Sequence, residues 1–164
     1  MSINNIIFLD IDGVLNTMHH LRRQKKEAGH MSSNNWCPIA CRHVTLLCEQ
    51  FNAGIVISST WRYNHSGEEL RDFLKKNDID PGFMLGVTPS LIHEEERISV
   101  NRGDEIAKWM ENFESTVRSY VIIDDLPEDR FLEEQRSNLV RVHQERGFAE
   151  KEAAVMAGEI LATD

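Results

Sequence analysis

The feature that most constrains the fold is an apolar run at residues 6–9, which leads directly into Asp10, Asp12 and Gly13. An unbroken apolar run of this length, ended by a turn signal, is typical of a β-strand buried on both faces. Asp10 is therefore predicted at the C-terminal edge of a sheet. Because side chains alternate along an extended chain, Asp10 and Asp12 are expected to point the same way if the extended conformation persists. Gly13 permits a sharp turn and a close approach of its backbone to a bound substrate.

Two carboxylates this close repel each other, and a cation or a shared proton relieves the repulsion. The plain alternative is a pair of solvated acids that opens a loop. That alternative does not explain why the acids follow the most apolar run near the N-terminus. The pattern therefore favours a metal site or a phosphoryl-transfer site.

Length and composition favour one soluble globular domain over residues 1–164, because 41% of the residues are hydrophobic and only 27% are charged. No apolar run approaches the roughly 18 residues of a membrane-spanning helix, and the N-terminus does not resemble a signal peptide. A cytoplasmic protein without membrane contact is expected. The formal net charge of −9 argues against a broad nucleic-acid-binding surface, although it permits a local basic site. The sequence identifies no protein partner.

The three cysteines, Cys37, Cys41 and Cys48, are odd in number and lack a C-x-x-C spacing, which argues against a disulfide framework. A zinc site that also uses His43 is the alternative. Cys41 and Cys48 share a helical face with apolar neighbours, however, and this favours small buried thiols.

The alternation of strand and helix patterns predicts an α/β fold with a parallel sheet and helices on both faces. Further strands are expected at residues 55–57, 83–87, 120–123 and 139–142, and amphipathic helices begin near Pro38, Ser66, Arg102 and Ala153. The first of these helices is expected to end through a glycine at residues 52–54. Residues 17–36 are expected to form a polar insertion outside the core, and residues 94–96 a solvated acidic face.

Polar side chains follow three of the predicted strands. In parallel sheets, ligands bind beyond the carboxyl ends of the strands, where the strand order reverses. The sequence therefore predicts one site at this edge of the sheet. The residues concerned are Asp10, Asp12, Ser58, Ser59, Asp124 and Asp125.

Four carboxylates and two hydroxyls without a suitable histidine favour hard-cation chemistry. Mg²⁺ commonly takes one or two carboxylates and completes its octahedron with phosphate and water. A carboxylate also acts as a nucleophile toward phosphorus and forms an aspartyl-phosphate. Phosphoryl transfer then needs mainly positioning and neutralisation of the phosphate oxygens.

Three segments resemble a known family. The string Asp-Ile-Asp-Gly-Val-Leu at residues 10–15 resembles the first motif of the haloacid dehalogenase (HAD) superfamily of phosphatases and phosphotransferases, Ser58 its second motif, and Asp124-Asp125 its fourth. Residues 10–16 and 57–62 together look most like HAD domains associated with RNA-repair proteins, which are related to polynucleotide 3′-phosphatases. The resemblance covers nearly the whole chain. It implies a Rossmann-like three-layer α/β/α sandwich with a five-stranded parallel sheet and a minimal cap at about residues 17–36.

The resemblance also implies roles for the four acids. Asp10 would attack phosphorus, and Asp12 would protonate the leaving oxygen and then activate the hydrolytic water. Mg²⁺ would be held by Asp10, by the backbone carbonyl of Asp12, and by Asp124 with the help of Asp125.

The phosphate contacts implied by the resemblance involve a departure from the family. Ser58 would bind the phosphate oxygens, with Ser59 as the fallback. The third motif is usually a lysine, but here Arg102 stands near its place and is taken as the substitute, with Lys108 as the weaker option. Arg62 is expected to bind substrate.

The stretch after the first motif concentrates positive charge in Arg22, Arg23, Lys25 and Lys26, for which a solvated helix or loop is the plain alternative. A short cap with nearby basic residues would admit a nucleic-acid end. The expected function is a Mg²⁺-dependent phosphomonoesterase acting on nucleic-acid 3′-phosphate ends or nucleotides. The alternatives are a phosphatase of small phosphorylated metabolites, a two-metal nuclease, and a non-catalytic binding protein on a HAD scaffold.

Overall fold

The protein is described by a computed structural model, which covers residues 2–91, 101–113 and 116–163, so the predicted acidic face at residues 94–96 lies outside the described residues. The strands are β1 (Asn5–Leu9), β2 (Ala53–Ile57), β3 (Met84–Val87), β4 (Ser119–Asp124) and β5 (Leu139–Arg141). They form one parallel sheet through the centre, in the order β3-β2-β1-β4-β5. The predicted five-stranded parallel sheet is confirmed.

Helices cover both faces of the sheet, because the three central strands are apolar on both sides. The helices are α1 (Met18–Ala28), α2 (Pro38–Phe51), α3 (Gly67–Lys76), α4 (Arg102–Met110) and α5 (Lys151–Leu161). Ile7 and Leu9 of β1 pack into one hydrophobic cluster with α2, α3 and α5, whereas Ile6 and Phe8 pack into another with α4. This confirms the predicted three-layer α/β/α arrangement.

Two helix ends test the predictions from local sequence. The glycine stop predicted after α2 is wrong, because Asn52 takes the left-handed conformation (φ +48°) and Gly54 lies inside β2. Asparagine tolerates this conformation better than most residues do. The capping box predicted at the start of α3 is confirmed, since Ser66 and Glu69 satisfy each other's backbone N–H groups.

The segment at residues 17–36 is mostly a solvated helix. The α1 helix buries none of its residues, begins where the Thr17 hydroxyl accepts a hydrogen bond from the backbone N–H of His20, and ends at Gly29. The prediction that the segment lies wholly outside the core is wrong for Trp36, which is 2% exposed. Its indole packs edge-on against Trp61, at 5.7 Å between ring centroids.

The three cysteines are free, buried thiols, as predicted. Burial raises the pKa values of Cys41 and Cys48 to about 12, so both remain protonated and act as small apolar residues.

The strand order reverses at β1, which pairs with β2 on one side and with β4 on the other. The chain segments that leave these three central strands therefore emerge side by side at the C-terminal edge of the sheet, where α/β proteins bind ligands.

Candidate active site

Three carboxylates converge at this edge. Asp10 follows β1, Asp124 is the last residue of the adjacent β4, and Asp125 comes next. One oxygen from each lies within 4.8 Å of the other two. Asp10 is 5% exposed, Asp124 is fully buried and Asp125 is half-buried. These three residues are called the carboxylate cluster below, and their oxygens are ligands of the kind that Mg²⁺ prefers.

The carboxylate cluster carries more negative charge than its surroundings balance. Burial raises the pKa of the Asp10 carboxyl well above its usual range, the neighbouring Asp124 raises it further, and Arg102 opposes the rise. Burial also raises the pKa of Asp124 to about 6, against the lowering effect of Arg102. Two crowded carboxyls of this kind are suited either to hold a proton or to share a divalent cation.

Arg102 lies against the carboxylate cluster, and its role as the substitute for the third-motif lysine stays a prediction. It is the first residue of α4, and its Nη1 donates to Asp124 Oδ2 at 2.7 Å and lies 3.5 Å from Asp10 Oδ1. The same nitrogen donates to the backbone carbonyl of Ser58. Lys108 lies elsewhere, exposed and paired with Glu111. The guanidinium therefore links the ends of three strands.

The two serines after β2 have different surroundings. Ser58 is 1% exposed, and its hydroxyl has no hydrogen-bond partner among the described residues. A buried hydroxyl without a partner is costly, and a phosphate oxygen would satisfy it. The Ser59 hydroxyl instead accepts a hydrogen bond from the backbone N–H of Trp61 and caps the 3-10 helix Thr60–Tyr63. Ser58 is thus better placed than Ser59 to receive phosphate.

Gly13 allows the first-motif loop to lie against the carboxylate cluster. Its φ of +78° favours glycine, and a Cβ atom there would lie 2.8 Å from Cγ of Asp125. The close approach that Gly13 permits is therefore to Asp125, within the protein. Its backbone N–H is also engaged within the protein, because it donates to the carbonyl of Asn16 at 3.0 Å. The contact between Gly13 and substrate stays a prediction.

Asp12 stands apart from the carboxylate cluster. It is exposed, its Oδ2 accepts a hydrogen bond from Trp61 Nε1 at 2.9 Å, and its Oδ1 accepts one from Asn16 Nδ2 at 3.0 Å. The chain turns between Ile11 and Asn16, and the Asp12 carboxylate does not join the carboxylate cluster. That Asp10 and Asp12 point the same way stays a prediction. A metal contact from Asp12 stays predicted through its backbone carbonyl alone.

Arg62 is engaged inside the protein. Its guanidinium forms an ion pair with Glu105 of α4, each side chain being 4% exposed, and also donates to the backbone carbonyl of Ser59 at 2.6 Å. Its charge is therefore already balanced, and the geometry favours a role in tying the segment after β2 to α4. Substrate binding by Arg62 stays a prediction.

Sequence reasoning missed three residues that support the site: Asn16, Trp61 and Glu105. A signal was present for Glu105, which lies on the same face of α4 as the buried Ile106 and Trp109, because an acid on the apolar face of a helix needs a partner. The bonds from Asn16 and Trp61 to Asp12 depend on the loop conformations, which the sequence pattern does not specify.

The basic stretch of α1 is partly neutralised. Arg22 pairs with Glu145, and Arg23 Nε lies 2.8 Å from Glu27 Oε1. Lys25 and Lys26 are exposed in the last turn of α1. In the part of the chain that is described, no helix is both long and apolar enough to cross a membrane.

Comparison with known families identifies the chain's relatives. The family model for the HAD domain in Swiss Army Knife RNA repair proteins matches residues 6–153, which include all the residues of the carboxylate cluster as well as Arg102 and Ser58. No curated protein and no solved structure matches the chain.

Proposed function

Because the chain belongs to the family of HAD domains found in Swiss Army Knife RNA repair proteins, we propose that it is a Mg²⁺-dependent phosphomonoesterase that works through an aspartyl-phosphate on Asp10. The observation that carries the proposal is the carboxylate cluster with Arg102 against it and the unpartnered Ser58 hydroxyl beside it. This combination supplies a nucleophile, a cation site and phosphate contacts at one edge of the sheet.

The residues suited to hold Mg²⁺ are those of the carboxylate cluster, Asp10, Asp124 and Asp125. The donor set fits a hard cation, because it consists of carboxylate oxygens that are buried or half-buried and only partly balanced by Arg102. When bound, Mg²⁺ would neutralise charge on the phosphate oxygens.

The first step is attack by a carboxylate oxygen of Asp10 on phosphorus, which forms the aspartyl-phosphate bond and breaks the bond to the leaving oxygen. Arg102 fixes the relative positions of Asp10 and Asp124. The Ser58 hydroxyl, aimed at no protein group among those described, donates to a phosphate oxygen.

Asp12 handles the proton. It gives a proton to the leaving oxygen in the first step and takes one from water in the second. That water attacks phosphorus, breaks the bond to Asp10 and releases inorganic phosphate. The exposure of Asp12 supports this role, because the residue must reach both the leaving group and solvent.

The proposed substrates are nucleic-acid 3′-phosphate ends or nucleotides. The support comes from the occurrence of the family in RNA repair proteins. The α1 helix adds less, because Arg22 and Arg23 already have acidic partners, so Lys25 and Lys26 are its better candidates for contact with a nucleic-acid backbone.

A substrate panel tests the proposal. Oligonucleotides with 3′- or 5′-phosphates, mononucleotides and small phosphorylated metabolites are incubated with the protein in Mg²⁺ or in EDTA, and released phosphate is measured. We expect phosphate release that requires Mg²⁺ and is fastest on 3′-phosphorylated ends or nucleotides. Acid quenching with ³²P-labelled substrate should trap label on Asp10. Cleavage of internal phosphodiesters without trapped label would support the nuclease instead, and no turnover of any substrate would contradict the proposal.

A further inference from the structure

A polar pocket of about 270 Å³ opens beside Asp12. One wall comes from the loop that follows α1, and the other comes from the segment that follows β2. The indole of Trp61, whose N–H holds the Asp12 carboxylate, also borders the pocket. The remaining lining residues are Ser33, Asn34, Thr60, Asn64 and His65.

The position of the pocket indicates which part of a substrate would occupy it. The proposed function assigns Asp12 to the proton on the leaving oxygen, so a group next to Asp12 is the leaving group. Asp10, Asp124 and Asp125 do not line the pocket, which separates it from the place where the phosphoryl group would lie.

The lining indicates the chemistry of the occupant. Asn34 and Asn64 present side-chain amides that make no hydrogen bond with other described residues, and Ser33 and Thr60 present hydroxyls. The described lining contains neither lysine nor arginine to bind an anion. The occupant that fits is therefore neutral and rich in hydroxyl groups.

Size and aromatic surface narrow the choice further. The volume lies below the range of about 300–1,000 Å³ that is typical of ligand pockets, so a single sugar unit suits it better than a dinucleotide does. The half-buried ring of His65, which packs on the buried Trp61 with 5.3 Å between centroids, adds an aromatic surface against which a sugar ring can pack.

We propose that this pocket binds the ribose of the leaving group and that Asn34 and Asn64 are specificity-determining residues that hydrogen-bond its hydroxyls. The inference rests on the proposed phosphatase function and adds the substrate group that the site selects. Ribose in a nucleotide and ribose in a free sugar phosphate share this chemistry, and the substrates chosen below distinguish them.

The test compares kcat/KM for four substrates: adenosine 3′-phosphate, its 2′-deoxy analogue, ribose 5-phosphate and p-nitrophenyl phosphate, which has no sugar. The proteins are wild type, Asn34→Ala, Asn64→Ala and the control Asn4→Ala, which removes an exposed asparagine just before β1, at the other end of the strands. Loss of one neutral hydrogen bond should lower the ratio of ribose-substrate to p-nitrophenyl phosphate efficiency about 3- to 10-fold in each pocket variant, mainly through KM. Asn4→Ala should keep the wild-type ratio.

The outcomes separate the inference from the function on which it rests. A larger loss on adenosine 3′-phosphate assigns nucleotide ribose, and a larger loss on ribose 5-phosphate assigns the free sugar. A preference for ribose over deoxyribose that shrinks in the pocket variants supports the inference further. Unchanged ratios in both pocket variants, with active wild-type enzyme, would contradict ribose binding in this pocket but would not contradict the phosphatase function.

An inactive wild-type protein would instead overturn the function, and direct binding would then test the pocket. Adenosine titration is followed through the Trp61 indole N–H signal in NMR spectra, identified with Trp61→Phe. A saturable shift that weakens in Asn34→Ala supports the pocket, and the absence of a shift overturns it.

Discussion

Asp10 and Asp12 are two residues apart in the chain but have opposite surroundings. Asp10 is 5% exposed and crowded by Asp124 and Asp125, whereas Asp12 is exposed and held by donors from Trp61 and Asn16. Two residues of the same type can therefore have different roles in one site, because their surroundings differ. A crowded carboxylate suits a cation and nucleophilic attack, and an exposed one suits proton exchange.

The largest effect on activity is expected from a change at the crowded Asp10. Asp10→Asn removes the proposed nucleophile, so kcat for phosphate release should fall by about 10³-fold or more. The fold should survive, because an amide replaces a carboxylate whose burial is costly. Steady-state assays and thermal melting measure both. Asp72→Asn, which changes an exposed carboxylate of α3, should retain wild-type kcat. A kcat within tenfold of wild type in Asp10→Asn would remove the nucleophile role.

A change at the exposed Asp12 should lower activity and leave Mg²⁺ binding intact. Asp12→Asn should lower kcat by about 10²- to 10⁴-fold, the usual contribution of a general acid–base group. The rise in Tm caused by Mg²⁺ should persist in this variant, whereas Asp124→Asn should lose it, because ligand binding to the folded state raises stability. Loss of the Mg²⁺-induced rise in Tm in Asp12→Asn, together with its retention in Asp124→Asn, would contradict the assignment of the cation to the carboxylate cluster.

The carboxylate cluster should make stability depend on pH when no Mg²⁺ is present. Asp124 has a pKa of about 6 in the folded protein, against an ordinary value of 3.8. Between these values the folded protein holds a proton that the unfolded chain has lost, so the free energy of unfolding should fall as pH rises from about 4 to 6. The fall attributable to Asp124 is on the order of 3 kcal/mol.

Urea unfolding in EDTA at several pH values measures this dependence. Asp124→Asn should flatten it partly, because the raised pKa of Asp10 contributes in the same direction. The prediction would be contradicted if the free energy of unfolding rose with pH over this interval, equally in wild type and Asp124→Asn. Ionisation of the carboxylate cluster would then not destabilise the folded protein.

The smallest expected effect concerns the support of Asp12. Trp61→Phe keeps an aromatic ring beside Trp36 and Phe73 but removes the indole N–H that Asp12 accepts. We expect kcat to fall about tenfold, with a shift in the pH profile of kcat, because the proton-transfer group is less well oriented.

The matched control for this change is Trp109→Phe, on the opposite face of the sheet, where Trp109 packs against Phe8. A purely structural role for Trp61 would lower stability in both variants and leave both pH profiles in place.

The sequence was informative where a regular hydrophobic periodicity or an unbroken apolar run was compatible with a single type of secondary structure. The apolar strands gave the sheet, and their polar continuations correctly indicated that Asp10, Ser58 and Asp124 meet at one edge, because parallel strands end together. The helix pattern also correctly began at Arg102, the first residue of α4, whereas its role in the site came from the resemblance and stays a prediction.

The failures occurred where a loop or a tertiary contact decides the conformation. The hydrogen bonds that hold Asp12 depend on the turn between Ile11 and Asn16 and on the segment after β2. Trp36 is buried because a second tryptophan lies opposite it. Likewise, the ion pair between Arg62 and Glu105 joins residues 43 positions apart, and no local pattern pairs them.

The role of Asp10 as the nucleophile is tested by a crystal structure of the protein with Mg²⁺ and beryllium fluoride, which mimics the phosphoryl group on an aspartate. We expect fluoroberyllate on a carboxylate oxygen of Asp10, within hydrogen-bond distance of the Ser58 hydroxyl, and one Mg²⁺ shared by Asp10 and Asp124. Fluoroberyllate on Asp12, or a cation bound away from Asp10 and Asp124, would contradict it.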